Sequence, residues 1–187
     1  MMQTPAMEDS VIIEKFADEQ TREEAFNQLL KKYQQKIYWH IRRLVVDHDD
    51  ADDLVQDVFI KVWKNLNHFR ADAQLYTWLY RIATNECITF LNKKKQYQNI
   101  SLNDDTSSYL ANTLTTSAYF NGDQAQLKLQ QALLTLPEKQ RLVFNMKYFD
   151  DLKYEEISEI LGTSIGALKA SYHLAVKKIE QFFSEHD

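Results

Sequence analysis

The amino-acid sequence predicts an all-α protein in which two small helical domains are joined by a flexible linker. Composition is the first reason, because only three Gly and two Pro in 187 residues leave few of the turn residues that sheets need. Periodicity is the second reason, since apolar residues recur every three to four positions in two long blocks, as on one face of a helix. A polar stretch without that period separates the blocks and predicts the linker.

Four segments differ in net charge as well as in pattern. Residues 1–20 form an acidic tail of net charge −4, and residues 21–95 form a first helical domain of net charge +3. Residues 96–123 are the linker, with a net charge of −3, and residues 124–187 form a second helical domain of net charge −1. The excess acid therefore lies in the tail and the linker. Any affinity for DNA must come from local faces, or from a partner that holds the protein on DNA.

Three apolar stripes predict three helices in the first domain. The first stripe runs from Arg22 to Val46, and the second runs from Leu54 to Leu66 after the acidic N-cap candidates at 47–50. The third stripe runs from Leu75 to Leu91. Its helix ends in three lysines, 93–95, whose positive charge favours the C-terminal end of a helix.

The second domain predicts two helices followed by a helix-turn-helix. Apolar periodicity resumes over 127–136, and Pro137 is well placed as the first residue of a helix that includes residues 142–148. The last two helices, 154–161 and 165–182, flank a turn in which Gly162 suits a left-handed C-terminal position. Small, Lys and His side chains on the last helix could approach base edges and phosphates. The alternative is an ordinary helical hairpin with a solvated basic face.

No grouping of residues predicts catalysis, a metal site, a cofactor or a small-molecule substrate. The five histidines are scattered, and the sequence has neither a Gly-rich phosphate loop nor a nucleophile in a recognisable motif. The single cysteine, Cys87, is expected in the core of a reduced, cytoplasmic protein. The sequence has neither an apolar run long enough to span a membrane nor the pattern of a signal peptide.

Acidic residues cluster between positions 47 and 57, beside His48. Their spacing does not match a calcium loop, because no Gly lies at the centre and no Glu closes it. Helix capping and a solvated face explain the cluster better than a metal site does. A second functional interpretation is a docking surface for a basic partner, on the side of the helix opposite its apolar stripe. The residues on that side are Asp52, Asp53, Gln56 and Asp57.

Aromatic and basic residues are interleaved between Phe69 and Asn85. This mixture suits single-stranded nucleic acid, whose unstacked bases lie against rings while its phosphates meet cations. The competing interpretation is that the rings belong to the core. That interpretation is favoured for Trp78, which continues the apolar stripe, and both interpretations stay open for Phe69 and Tyr76.

Three stretches of the sequence resemble one protein family. Residues 52–63, DDLVQDVFIKVW, resemble the polymerase-docking segment of bacterial sigma factors. Residues 69–85, with FRADA and YTWLYRIATN, resemble the promoter-melting segment of the extracytoplasmic-function (ECF) subfamily. LPEKQR at 136–141 and the helix-turn-helix beyond it resemble region 4 of that family. The first domain is thereby identified with sigma region 2 and the second with sigma region 4.

The resemblance implies a dissociable subunit of RNA polymerase that directs promoter recognition, DNA melting and transcription initiation. It implies that region 2 meets the β′ clamp helices of the core enzyme and that region 4 meets the β flap. The linker resembles the segment threaded through the polymerase near the RNA exit path. Relatives are commonly held inactive by an anti-sigma factor. The polymerase-binding residues implied by the resemblance are Asp52, Asp53, Leu54, Gln56, Asp57 and Phe59.

The resemblance also implies two sets of promoter contacts. Phe69 and Asn85 would capture a flipped base of the −10 element. The residues that would hold the melted strand and adjacent backbone are Arg70, Tyr76, Arg81, Lys93, Lys94 and Lys95. Those that would contact the −35 element are Ser164, Lys169, Ala170, His173, Leu174 and Lys177.

Two departures from the family pattern and two alternatives remain. Ala71 stands where the family often has Gly, which makes the loop before the melting helix less free. The last helix offers Lys169, Ala170, Ser171 and Leu174 where relatives often carry Arg or Ser, which leaves fewer bidentate donors for bases. The alternatives are a stand-alone helix-turn-helix regulator and a helical adaptor that binds only protein. The docking and melting stretches disfavour the first, and the basic face of the last helix disfavours the second.

Overall fold

Helices account for the regular secondary structure of the described residues, which are 8–70, 72–97 and 124–185 in a computed structural model. The helices of the first half are α1 (Asp9–Ala17), α2 (Arg22–Val45), α3 (His48–Asn65) and α4 (Leu75–Tyr97), with a 3₁₀ turn at Leu66–His68. Those of the second half are α5 (Gln124–Leu134), α6 (Glu138–Phe144), α7 (Tyr154–Leu161) and α8 (Ile165–Glu185), with a π-helical turn at Asn145–Phe149. The described ranges contain no strand, and the all-α prediction is confirmed.

The predicted linker overlaps the end of α4. Residues 96 and 97 are the last two residues of that helix, whereas residues 98–123 lie outside the described residues. Ala71, in the loop before α4, also lies outside them. The expectations for the linker and for Ala71 therefore stay predictions.

The first bundle consists of α2, α3 and α4, packed around their apolar stripes. Ile37 and Ile41 of α2, Val58 of α3 and Leu79 of α4 are all fully buried, and each contributes about 1.5–3 kcal/mol relative to an exposed side chain. The acidic segment before α3 supplies the predicted N-cap. The side chain of Asp47 accepts a hydrogen bond from the backbone N–H of Asp50 at 3.0 Å, which satisfies one of the free donors of the first helical turn.

The segment expected to be an acidic tail contains a helix that joins this core. Ile12 and Phe16 of α1 are 0% and 1% exposed, and the Asp9 carboxylate accepts hydrogen bonds from the Tyr33 hydroxyl and the Lys32 ammonium group at 2.8 and 2.7 Å. Burial, followed by the neighbouring Asp9, raises the pKa of Tyr33 well above its usual value. The apolar signal of nine residues was too short to predict a helix, so its packing on α2 was decided by tertiary contacts.

The second bundle contains the predicted helix-turn-helix. Gly162 ends α7 with φ of +62°, a conformation that glycine adopts without a Cβ penalty. The hydroxyl of Ser164 lies 3.4 Å from the backbone N–H of Ala167 at the start of α8. Two details differ from the prediction. Pro137 is extended and caps α6 instead of starting it, and the helix expected to run through residue 148 ends in the π-helical turn.

The two bundles pack against each other, which the sequence left open. Side chains of the second half, including Met146, Leu152 and Ile157, belong to the same buried cluster as the core of the first half. Helix α4 packs on α7, and α2 packs on the π-helical turn. The remaining apolar residues of α5 and α8 form a second cluster around Leu136 and Ala175. The helix-turn-helix therefore rests on the first bundle through its first helix, α7.

Candidate nucleic-acid and protein interfaces

The acidic residues of α3 form one exposed face. The spacing of 52, 53, 56 and 57 places these residues on adjacent turns of a helix, and all four side chains are exposed. The two apolar residues expected beside them are in the core, since Leu54 and Phe59 are each only 6% exposed. The face thus consists of polar atoms supported by a buried apolar layer.

Apolar surface continues this acidic face toward the end of α3. Ile60 is 51% exposed and Trp63 is 38% exposed, and both follow the acidic residues at helical spacing. The Trp63 ring packs edge-on against Phe16 of α1 and Phe26 of α2, with ring centroids 5.2 and 5.0 Å apart. The apolar stripe of α3 predicted Trp63 in the core, whereas the structure has it at the rim, where α1 supports it. The acidic face with its apolar rim has the mixed character of a protein-docking surface.

The loop before α4, the first half of that helix and Glu159 of α7 line an open cavity of about 510 Å³. Phe69 is half-buried in this cavity, and its ring lies 5.4 Å from that of Trp78, measured between centroids. Arg70 and Arg81 are exposed at the cavity wall. Asn85 is exposed one turn after Arg81, on the same side of α4. An open cavity with aromatic walls and two guanidinium groups has the character of a site for an unstacked base and its phosphates.

Tyr76 does not join this group. It lines a separate cavity of about 610 Å³ between the two bundles, together with Trp39 and Arg43 of α2 and Asp150 of the second half. Trp39 and Arg43 were not predicted as site residues from the sequence. They lie outside the apolar stripe of a long helix, and such a position does not distinguish a solvated face from a face covered by another domain.

The three lysines that end α4 lie in different surroundings. Lys93 is exposed, whereas Lys94 forms an ion pair with Asp50 of α3 at 2.5 Å. Lys95 is only 9% exposed, and its ammonium group lies 3.2 Å from the Glu138 carboxylate of α6. The lysines therefore do not form one basic patch in this arrangement, because two of them are engaged by acids.

The outer face of α8 is open to solvent. Lys169, Ala170, His173 and Leu174 are all exposed; Lys177 and Ser164 are exposed as well. A Cβ atom added at Gly166 would meet no atom within 4 Å, so the start of the helix is sterically free. The surface bears few groups that could make bidentate hydrogen bonds to bases, in agreement with its sequence.

Other chemistry finds little support in the part of the chain that the structure describes. No group of three or more His, Cys, Asp and Glu side chains there is arranged to hold a metal ion. Cys87 is fully buried, and burial raises the pKa of its thiol far above the usual range. No helix among these residues is both long and apolar enough to cross a membrane.

These surfaces are typical of a helical protein that binds both nucleic acid and a protein partner. Known protein families identify this class of protein more closely. Residues 29–97 match the family described as Sigma-70 region 2, and residues 126–179 match Sigma-70, region 4. The two matches fall on the first and second bundles.

Curated relatives agree with these matches. The chain is 32% identical to the ECF RNA polymerase sigma factor SigW of Bacillus subtilis over 160 residues, which cover 81% of this chain and 84% of that protein. It is 27% identical to the ECF RNA polymerase sigma-E factor of Escherichia coli K12, over 92% of each chain. The protein belongs to the sigma-70 family of RNA polymerase sigma factors, in the ECF subfamily.

Two solved structures share the fold of both bundles. The sigma factor RpoE of Bartonella quintana, in complex with the anti-sigma factor NepR, has a TM-score of 0.69 at 23% identity and covers 85% of this chain and 96% of its own. The structure of CnrH in complex with the cytosolic domain of CnrY has a TM-score of 0.67 at 20% identity and covers 96% and 99%. At these identities the likeness supports the fold alone.

Proposed function

We propose that this sigma factor binds core RNA polymerase through α3, holds the melted −10 element on α4 and reads the −35 element with α8. The proposal rests on one observation, which is that α3, α4 and α8 each present a different kind of surface. An acidic face, a cavity with aromatic and basic walls and an exposed helix-turn-helix occupy three separate surfaces, within the ranges that match regions 2 and 4. A stand-alone regulator needs only the third surface and is not favoured.

For polymerase docking, we assign direct contacts to the exposed residues of α3. Asp52, Asp53, Gln56 and Asp57 would meet basic side chains of the β′ clamp helices, an arrangement that speeds encounter and sets orientation. Leu54 and Phe59 are buried, so we assign them the task of supporting the face from below. The second domain would meet the β flap, as the family resemblance implies.

For promoter melting, we assign base capture to Phe69 and Asn85. A flipped base held against an aromatic ring offsets an unstacking cost of a few kcal/mol, so that DNA is opened by binding energy without catalysis. Arg70, Arg81 and Lys93 would hold phosphates of the melted strand. Tyr76, Lys94 and Lys95 stay in the proposed DNA-binding set, although the structure has them at the domain interface or paired with acids.

For the −35 element, we assign contacts to the exposed face of α8. Lys169 and Lys177 would meet phosphates or guanine, while Ala170, His173 and Leu174 would face base edges. Ser164 would contribute at the start of the helix. Because this face has few bidentate donors, we expect weak binding of promoter DNA by the free protein and tight binding only in the holoenzyme.

We further propose the domain limits 21–95 and 124–187, connected by residues 96–123 and preceded by an N-terminal segment whose helix α1 supports region 2. Action in the cytoplasm follows from the partners named above. We also propose that an anti-sigma factor inhibits this protein. The two similar solved structures are complexes, one with the anti-sigma factor NepR and one with the cytosolic domain of CnrY. No small-molecule substrate is assigned.

Runoff transcription with purified core polymerase on a genomic library tests the proposal, with the transcript starts read by sequencing. We expect starts that depend on the protein and share a −35 and a −10 motif. Core polymerase alone is the control. Failure to bind core polymerase, together with tight and independent binding to double-stranded DNA, would favour the stand-alone regulator instead.

A further inference from the structure

A buried ionic cluster joins the two domains at Asp150. This residue follows the π-helical turn of the second domain, and its side chain is only 2% exposed. One carboxylate oxygen lies 2.7 Å from Nδ1 of His40, and the other accepts from the guanidinium group of Arg43. Both partners belong to α2 of the first domain. A carboxylate can only accept hydrogen bonds, so the Nδ1–H group of His40 is the donor in this hydrogen bond and the Asp150 oxygen is the acceptor.

The first domain holds His40 in place for this contact. The ring is completely buried, and its Nε2 atom lies 2.9 Å from the Thr84 hydroxyl of α4. The Tyr80 ring of α4 packs edge-on against it, with ring centroids 4.8 Å apart. Burial, followed by the Asp150 carboxylate, raises the pKa of Tyr80. The Asp150 side chain of the second domain is therefore bound by His40 and Arg43 of α2, and α4 holds the His40 ring in its orientation.

Two further polar contacts cross the same interface. The guanidinium group of Arg43 also lies over the Phe149 ring, 4.9 Å from its centroid, which is within the range of a cation–π interaction. At the far end of α4, Lys95 reaches Glu138. Polar contacts thus join the second domain both to α2 and to the end of α4.

The interface covers part of the surface assigned to the −10 element. Glu159 of α7 lines the same cavity as Phe69, Arg70 and Arg81. An acidic side chain thus shares the space where a phosphate of the melted strand would lie, and like charges so juxtaposed are strongly unfavourable. A DNA strand bound at this cavity would therefore meet the carboxylate of Glu159 while α7 stays in place.

We propose that Asp150 is a latch that holds the two domains in a closed, self-occluding arrangement, in which α7 stands over the −10 surface. The occlusion rests on the proposed function of α4, whereas the latch does not. The cluster is suited to reversible opening, because a buried ion pair gives little net stability relative to its solvated partners, while loss of one member leaves the others uncompensated. A partner that competes for the second domain could therefore break this ionic contact at modest cost.

Förster transfer between the domains tests the latch in the full chain. Dyes are attached to cysteines introduced as Lys64→Cys in α3 and Glu180→Cys in α8, both at exposed positions; Cys87 is buried and will not compete for the label. We expect Asp150→Asn to lower the transfer efficiency, with a rise of about ten- to hundredfold in the open-to-closed ratio, as for loss of a hydrogen bond between charged groups. Unchanged transfer in a folded Asp150→Asn protein would overturn the latch.

Asp151→Asn is the matched control. Asp151 is exposed and adopts φ of +53°, a region that asparagine tolerates. This variant removes the same charge one residue further along the chain and should leave the transfer efficiency unchanged. Should Asp151→Asn open the chain as far as Asp150→Asn does, general charge would be responsible and the latch would be wrong.

A charge swap keeps the proposal testable if Asp150→Asn does not fold, as judged by circular dichroism. Glu138→Lys and Lys95→Glu should each open the chain, and the double variant should restore the closed transfer efficiency. Single reversals without effect would overturn the closed arrangement itself.

Binding of a short, fluorescein-labelled, single-stranded DNA of random sequence tests the occlusion. We expect Asp150→Asn to bind it about tenfold more tightly than the parent chain, and Arg81→Ala in that background to reverse the gain. If the chain opens by Förster transfer but binds no better, the occlusion is wrong. If Arg81→Ala leaves a gain intact, the assignment of the −10 surface fails and the latch stands.

Discussion

Two faces of the first domain differ in their accessibility in the closed arrangement. The acidic face of α3 is exposed along its length, and none of the described residues of the second domain lines the groove beside it. The opposite is true of the side of α4 that we propose for DNA, because its cavity is also lined by Glu159 of α7. The comparison suggests an order of events in which the protein can meet core polymerase before it can receive DNA.

The largest effect is expected from reversing charge on the accessible face. Asp53→Lys with Asp57→Lys should weaken binding to core polymerase by about hundredfold or more, because like charges facing each other cost several kcal/mol. Titration of labelled core enzyme by fluorescence anisotropy measures the affinity. Glu23→Lys with Glu24→Lys, two exposed acids on α2, is the control. An equal loss in the control would mean that α3 is not the docking face.

Removal of the support beneath that face should have the next largest effect. Phe16→Ala deletes a side chain that is 1% exposed and contacts Trp63, and truncating a buried Phe costs about 3–5 kcal/mol. Urea unfolding followed by circular dichroism gives the free energy of unfolding. Ile13→Ala, at a half-buried position on the same helix, should cost less. A loss below about 1 kcal/mol for Phe16→Ala would mean that α1 is not part of the core.

A smaller effect is expected at the proposed −10 surface of α4. In holoenzyme, Arg81→Ala should reduce the rate of promoter opening by about tenfold, through loss of a charged phosphate contact, and leave affinity for core polymerase unchanged. Permanganate footprinting of unpaired thymines follows the opening. Lys36→Ala removes an exposed charge from α2 and serves as the control. Normal opening in the Arg81 variant would contradict the assignment of α4.

The smallest effect concerns alkaline pH. The pKa of Tyr80 is raised in the folded protein, so the unfolded state loses its proton first, above about pH 10. The free energy of unfolding should therefore fall as pH rises beyond this value, and Tyr80→Phe should reduce the slope. Tyr97→Phe, at a position that is 88% exposed, should leave the slope unaltered. Parallel pH profiles for the parent and Tyr80→Phe proteins would show that this residue does not report the interface.

Helical periodicity and turn chemistry were sufficient for most of the secondary structure. The stripes of α2, α3 and α4, the Asp47 cap and the Gly162 turn all follow from local signals, because a helix face and a capped end are set by residues within a few positions of one another. Local signals failed where the segment was short, as at α1, or where tertiary packing changed the geometry of a helix end, as at the π-helical turn. The family motifs added functional assignments that periodicity alone could not supply.

The helical fold, the helix-turn-helix and the membership of the ECF sigma factors were thus determined by the sequence alone. The tertiary structure decided which candidate side chains reach solvent. Leu54 and Phe59 are buried beneath the face they were expected to form, and Lys95 is engaged by Glu138. It also decided that His40 and Asp150, 110 positions apart, meet in a buried pair. Such contacts leave no pattern in the nearby sequence, because they depend on which polar residues of one bundle are covered by the other bundle.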